Sequence, residues 1–268
     1  MDLELARALE RTDGMLGMSF TAVHGRLDPA RGAASRELDG VYAIYDGDGS
    51  PLSQTFGLGL SAPVTGALLD DLEAFFESRG AAVTHEVSSL AGVEPLAALV
   101  ARGYAPCELS TVLVRELDRD LAPPHPNGLR VRVIEPGDER IWIDTAVAGW
   151  ATDPDVGPLM PAVARLVCHN EAMSHFLVER DGEPIATGSL GLSPEVAVLA
   201  GASTIAAGRG QGAQALLLAA RLAEAARRGC SLAMVVASPG SASQRNAERR
   251  GFRVAYTRTK WRRDPARR

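Results

Sequence analysis

Residues 203–214 (STIAAGRGQGAQ) have the composition of an anion-binding turn. Gly208, Gly210 and Gly212 carry no Cβ, so a ligand could approach the backbone closely there. Arg209 adds a positive charge between them. An apolar run, Val196 to Ala202, reads as a buried strand before the turn. Ala213 to Arg228 reads as a long helix after it. A turn joining strand to helix aims several backbone N–H groups, and the positive end of the helix dipole, at one point. The chemistry this suits is the holding of a phosphate or pyrophosphate.

Three signatures compete for the ligand. Gly208-x-Gly210-x-x-Ala213 fits a dinucleotide-binding turn, which needs an acidic residue about 20 positions on to hold a ribose hydroxyl. The next strand, Ser231 to Ala237, runs into Ser238-Pro239-Gly240 without an Asp or Glu. A phosphate-binding loop would need Gly-Lys-Ser/Thr, which is missing. The longest match is a third one. Thr204-Ile205-x-x-x-Arg209-Gly210-x-Gly212-Ala213, then Ser243-Gln244-Arg245-Asn246, then Arg250-Gly251-Phe252, resembles the GNAT superfamily of N-acetyltransferases. The resemblance covers roughly 129–263. It implies that acetyl-CoA is the co-substrate, with its pyrophosphate on the turn at Arg209, Gly210, Gln211, Gly212, Ala213 and Gln214. It also implies a pantetheine arm along Thr204 and Ile205, reached by Asn246 from a short helix. The reaction implied is transfer of an acetyl group to a primary amine by direct attack.

Direct attack needs a neutral amine, so a group must take its proton. The family often places a Glu before the glycine turn and a Tyr before the Gly-Phe pair. Ser203 and Ala247 stand at those places here, and Ala207 stands where Arg or Gln is common. Glu195 and Tyr256 are the catalytic candidates left, with His169 and His175 behind them. Trp150, Asp153 and Asp155 could grip a cationic amine, or could be core and turn residues. Cys107, Cys168 and Cys230 form no Cys-x-x-Cys pair, so the expectation is no metal site and buried, unreactive thiols.

The elements that must position these residues come in two sets. Gly80 to Gly103-Tyr104 repeats the spacing of Gly229 to Gly251-Phe252, at 23 and 22 positions. Upstream, 41–60 and 176–192 both read as a strand, a turn and a strand. The expected fold class is α/β (α+β): two tandem GNAT-like domains, each a mixed twisted sheet flanked by helices. The expected boundaries are 1–120 for the first domain, 121–128 for a Pro-rich linker (LAPPHPNG) and 129–268 for the acetyl-CoA-binding domain. Ser61-Ala62-Pro63-Val64-Thr65 replaces the glycine turn in the first copy, which therefore reads as degenerate and without a cofactor.

Composition bounds the rest. A net charge of −5 gives no electrostatic support to nucleic-acid binding. No apolar run reaches a membrane span of about 18 residues, and the first 14 residues read as an acidic amphipathic helix rather than an export signal. The expectation is a cytoplasmic monomer or homodimer with a small-molecule or protein amine as acceptor. A non-catalytic acyl-CoA-binding or regulatory module is the alternative, and a nicotinamide-dependent oxidoreductase is disfavoured.

Overall fold

The computed structural model describes residues 3–118 and 128–264. Helix α1 (Leu3–Leu27) opens the chain. Gly14 and Gly17 do not end it. They let it lie on a strand: a Cβ at Gly14 would stand 2.6 Å from Cβ of Tyr42, and one at Gly17 would stand 3.0 Å from Ile44 Cγ1. Each interior glycine costs a helix about 1 kcal/mol, and close packing on Tyr42 and Ile44 offsets it. Strands β1 (Ala34–Leu38), β2 (Val41–Tyr45) and β3 (Gln54–Phe56) form an antiparallel meander. Helix α2 (Gly66–Glu77) crosses over to β4 (Val83–Ser88), which is parallel to β3. Helix α3 (Glu94–Ala101) and β5 (Ala105–Glu116) follow.

Next come β6 (Leu129–Val133), α4 (Glu139–Trp150), α5 (Met160–Cys168), β7 (Met173–Arg180) and β8 (Glu183–Leu192). Asp181 and Gly182, both with positive φ, make the two-residue hairpin turn between β7 and β8. Strand β9 (Val196–Thr204), α6 (Ala213–Arg227) and β10 (Leu232–Ala237) complete the set, in the sheet order β10-β9-β8-β7-β6. Trp142 of α4 is buried, and its indole N–H donates to the Phe176 carbonyl at 3.0 Å, anchoring the helix to β7.

Helix α7 (Ala242–Glu248) and β11 (Arg253–Arg263) end the described chain. Strand β11 lies between β4 and β5, antiparallel to both. The chain accordingly divides into one compact unit of Met1–Val114 with Val236–Arg268, and another of Arg115–Val235. Sequence spacing had assigned everything from 129 onward to the second domain; the last strand instead completes the first unit's sheet. The Pro-rich segment 121–127 lies outside the described residues.

Each unit joins an antiparallel meander to a parallel pair through one crossover helix: β3-α2-β4 in the first, β9-α6-β10 in the second. Topology therefore matches β2–β3 to β8–β9. The sequence pairing of 41–60 with 176–192 is one hairpin out of step, because hairpins of alternating strands look alike whichever sheet position they take.

Buried charge locks β11 to α1. Arg258, 2% exposed, donates to Glu10 Oε1 at 2.6 Å and to Asp13 Oδ2 at 2.7 Å. The Tyr256 hydroxyl donates to the same Glu10 oxygen at 2.7 Å.

Candidate active site

The glycine turn is built as the sequence implied, with each glycine doing a different job. Gly210 (φ +74°) and Gly212 (φ +85°) take the left-handed conformation, and a Cβ at either would meet nothing within 4 Å. Gly208 is needed for packing instead: a Cβ there would stand 2.8 Å from Ile185 Cβ on β8. Gly212 is the N-cap of α6, and no side chain caps the helix. The first helical bond runs from the Leu216 N–H to the Gly212 carbonyl, at 3.0 Å. The amides of the first turn before it have no intrahelical acceptor.

Side chains of the turn brace it. Gln214 Nε2 donates to Thr204 Oγ1 at 2.8 Å, tying the first turn of α6 to the end of β9. Gln211 Nε2 donates to the Ala207 carbonyl at 2.7 Å. Arg209 reaches the loop after α4, donating to Thr152 Oγ1 at 3.0 Å. These three polar side chains hold the turn's shape, together with the Arg209 N–H, which donates to the Ala206 carbonyl at 3.3 Å.

Beside the turn the sheet opens. Pairing between β9 and β10 covers Val196 to Val198 and stops at the Val198–Met234 pair, while β9 runs on to Thr204. On its other edge β9 is bulged, since Thr187 pairs with Ser203 but Ser189 pairs with Ala200. Gly201, at φ +60°, sits in the bulge. A bulge bends its strand and increases twist, which separates it from a parallel neighbour.

Sequence reasoning missed the residue beneath this bulge. Arg221 of α6 is 3% exposed, and its guanidinium donates to the carbonyls of Ser189 (3.2 Å) and Ala200 (3.3 Å), the two residues that flank the irregularity. Burial pushes its pKa down to about 10, so it remains a cation at neutral pH. Among the described residues no carboxylate forms an ion pair with it. Gly188 makes room, because a Cβ there would lie 3.2 Å from the Arg221 guanidinium carbon. An Arg in the middle of an amphipathic helix, one turn past the apolar run Leu216–Leu218, was the available signal. It reads as an ordinary surface charge until the sheet is placed over it.

The catalytic candidates fare differently. Glu195 is exposed in the turn that starts β9, a full strand of about 25–30 Å from the glycine turn at its other end. Its carbonyl accepts the N–H groups of Ser231 and Leu232, a role in strand pairing. Tyr256 is 4% exposed in the first unit, and burial with the Glu10 carboxylate drives its pKa up. Its proton is committed to Glu10, so it cannot serve as the acid expected of it. Replacing Tyr256 by Phe should cost about 1–2 kcal/mol of stability, because Glu10 Oε1 would lose one of its two donors and keep only Arg258. Turnover should be unchanged; a chemical denaturation curve beside an initial-rate assay checks both.

His175 is a core residue, its Nδ1 3.0 Å from Ser189 Oγ and its ring 5.1 Å from that of Trp142, with burial holding its pKa down to about 4. His169 ends α5, its Nδ1 2.8 Å from the Arg165 carbonyl. Asp153 accepts the N–H groups of Asp155 and Val156 and so makes a turn, while Asp155 is exposed. Trp150 packs against the α4–α5 core, and its buried indole N–H has no partner. Ser203, at the usual glutamate position, is buried under α4 and lies 3.1 Å from Thr187 Oγ1. Asn246 is exposed on α7, in the first unit, with its Oδ1 accepting from Arg249 at 2.8 Å. Cys168 is buried with its thiol pushed up to about 12, and Cys230 is buried too. Cys107 is exposed, contrary to the expectation that all three thiols pack inside.

An uncapped, glycine-opened helix start thus lies beside the point where the pairing of two parallel strands stops. Residues 144–252 match the model of the Acetyltransferase (GNAT) family. The segment from α4 through α7 is thus similar to that family. Among solved structures it is similar to a GCN5-related N-acetyltransferase from Kribbella flavida, at 22% identity and a TM-score of 0.65, over 93% of this chain and 96% of that one. A GCN5-related N-acetyltransferase from Sphaerobacter thermophilus aligns at 18% identity and TM-score 0.58, over 87% and 76% of the two chains. A tandem GNAT protein from the clavulanic acid biosynthesis pathway aligns at 15% and 0.60, over 85% and 79%. At these identities the likeness is one of fold, and the fold is the tandem GNAT arrangement. No curated protein matches the chain.

The first GNAT unit has closed the corresponding turn. Gly57 (φ +88°) and Gly59 (φ +76°) are present, but Cβ positions there are filled by the Gly40 carbonyl at 2.6 Å and Pro95 Cγ at 2.5 Å. Helix α2 is capped by its own Thr65, whose hydroxyl accepts the Leu68 N–H at 3.2 Å. This helix start, unlike that of α6, has a side-chain cap on one of its free amides, and the glycines before it are packed against neighbouring atoms.

Proposed function

We propose that this protein is an acetyl-CoA-dependent N-acetyltransferase whose second compact unit, Arg115–Val235, binds acetyl-CoA and passes the acetyl group to a primary amine of a small molecule or protein. The reading rests above all on the uncapped start of α6 at Gly210 and Gly212. There the amides around Arg209 to Ala213 would hold the pyrophosphate, as helix N-termini hold anions. Backbone groups of Thr204 and Ile205, past the last β9–β10 pair, would take the pantetheine amides as an added strand would. Acetyl-CoA supplies an activated thioester, and direct attack by the amine releases a thiol. The burial of Cys168 and Cys230 supports attack without a cysteine intermediate, because a nucleophilic thiolate needs a lowered pKa. The first copy is proposed to hold no acetyl-CoA.

Arg221 is a positioning residue in this scheme. Replacing it with Met should leave the Ser189 and Ala200 carbonyls unsatisfied, costing about 1–2 kcal/mol. The relaxed bulge should also weaken acetyl-CoA binding about tenfold, since misplacement of binding groups by about 1 Å has effects of this order. Thermal melts and calorimetry test the two effects separately.

One observation favours the alternative, a non-catalytic acyl-CoA-binding module: Tyr256 and Glu195 are both committed away from the turn. Native mass spectrometry together with thiol release in the presence of an amine panel separates the readings. One acetyl-CoA per chain with amine-dependent thiol release supports the enzyme. One per chain with no release on any amine supports the module, and two per chain rejects the single-site reading.

A further inference from the structure

The first unit, without a cofactor turn, contains a cavity of about 370 Å³ between α1, the β1–β2 hairpin and the loop after β3. Arg7, Glu10 and Arg11 of α1 face it together with Glu37, Tyr42 and Ser61. The volume falls at the small end of ligand pockets, roughly 300–1,000 Å³. The lining is polar and carries both signs of charge. Arg7 and Arg11 stand one helical turn apart on the same face. Arg7 is held in place by donating through Nε to the Leu60 carbonyl at 2.7 Å.

Glu10 is the unusual member. It is 1% exposed, and its Oε1 is fully engaged by Tyr256 and Arg258. Its Oε2 is buried and has no hydrogen-bond partner among the described residues. A buried carboxylate oxygen without a donor costs about 1–3 kcal/mol or more. Glu10 lines the cavity, so an N–H donor there would relieve that cost once the carboxylate turns Oε2 toward it.

We propose that this cavity binds a free α-amino acid, its ammonium on Glu10 with Glu37 nearby and its carboxylate on Arg11 and Arg7. A ligand of one sign would satisfy half of this lining and oppose the other half. A small zwitterion satisfies both, and the cavity has room for a compact one. The site is separate from the glycine turn, so binding requires no acetyl-CoA, and a closed cofactor turn leaves the first unit free for this role.

The test uses the full chain and the proteinogenic amino acids, each titrated by calorimetry without acetyl-CoA. Beside every amino acid run its carboxylic acid lacking the amine and its amine lacking the carboxylate. At least one amino acid should bind once per chain and at least tenfold more tightly than either analogue. Arg11→Met, at an exposed position, and Ser61→Leu, which narrows the cavity without changing charge, should each weaken binding at least tenfold. Gly210→Val should leave it unchanged while removing acetyl-CoA binding. Binding by no amino acid, equal binding of the analogues, or wild-type affinity in both cavity variants overturns the proposal. Loss of amino-acid binding in Gly210→Val would move the site to the glycine turn and overturn it as well. Failure of acetyl-CoA to bind the wild-type chain would count against the transferase reading alone.

Discussion

Replacing Gly210 by Val should lower affinity for acetyl-CoA at least about a hundredfold while the protein stays folded. The two effects separate because of where the Cβ would point. Nothing lies within 4 Å of it, so packing is undisturbed. The backbone at φ +74° disfavours a β-branched residue by about 1–2 kcal/mol, which a domain of this size survives. In the proposed function the same open space would be the approach path of an anion to the amides of the turn. A hydrogen bond to a charged group contributes about 1.5–3 kcal/mol, so blocking two of them removes about 3–6 kcal/mol, a hundredfold or more in affinity. Gly208→Ala is the internal control. Its Cβ would collide with Ile185, so it should lower the melting temperature more than Gly210→Val does. Calorimetric titration of both variants decides the matter, and wild-type affinity in Gly210→Val would remove the turn from the binding site.

Removal of the Arg258 charge, as Arg258→Met, should destabilise the first unit by about 3–5 kcal/mol. This is the usual cost of stranding a buried carboxylate by deleting its partner. Two carboxylates, Glu10 and Asp13, depend on this one guanidinium, and Glu10 is fully buried. Arg258→Lys keeps the charge but cannot span both partners with a planar fork, so it should fall between wild type and Met. The contact joins residues 245 or more positions apart, and it belongs to the strand that fills the gap between β4 and β5. A chain ending before β11 should therefore lose the cooperative unfolding of its N-terminal unit, not merely its last strand. Urea titration followed by circular dichroism measures the first effect. A loss below about 1 kcal/mol would show that the buried cluster is dispensable.

Much of the active-site scaffold was legible in the chain itself. Strand β9, helix α6 and strand β10 lie within a residue or two of where apolar runs and the glycine turn put them, because their signals are local. A strand shows in its apolar run, a helix in its 3.6-residue period, and a left-handed turn in glycine. The tandem plan was also legible, since the nearly equal spacings of Arg-Gly and Gly-aromatic pairs survive divergence. The length of α1 was not, because Gly14 reads as a terminator until Tyr42 is seen against it. Nor were the roles of Tyr256 and Arg221. Each depends on a partner hundreds of residues away or on a sheet laid across a helix face.

What the sequence determined by itself is the chemistry the backbone can offer: a glycine turn at the start of α6 in one copy, and Ser61–Thr65 without that turn in the other. What tertiary structure alone decided is which side chains can reach it, and where the last strand goes. Strand β11 has the same alternating pattern for any sheet that will take it, and hydrogen bonding between backbones carries no address. The address is the buried Arg258 with its acceptors Glu10 and Asp13, a pairing that exists only once α1 and β11 are brought together.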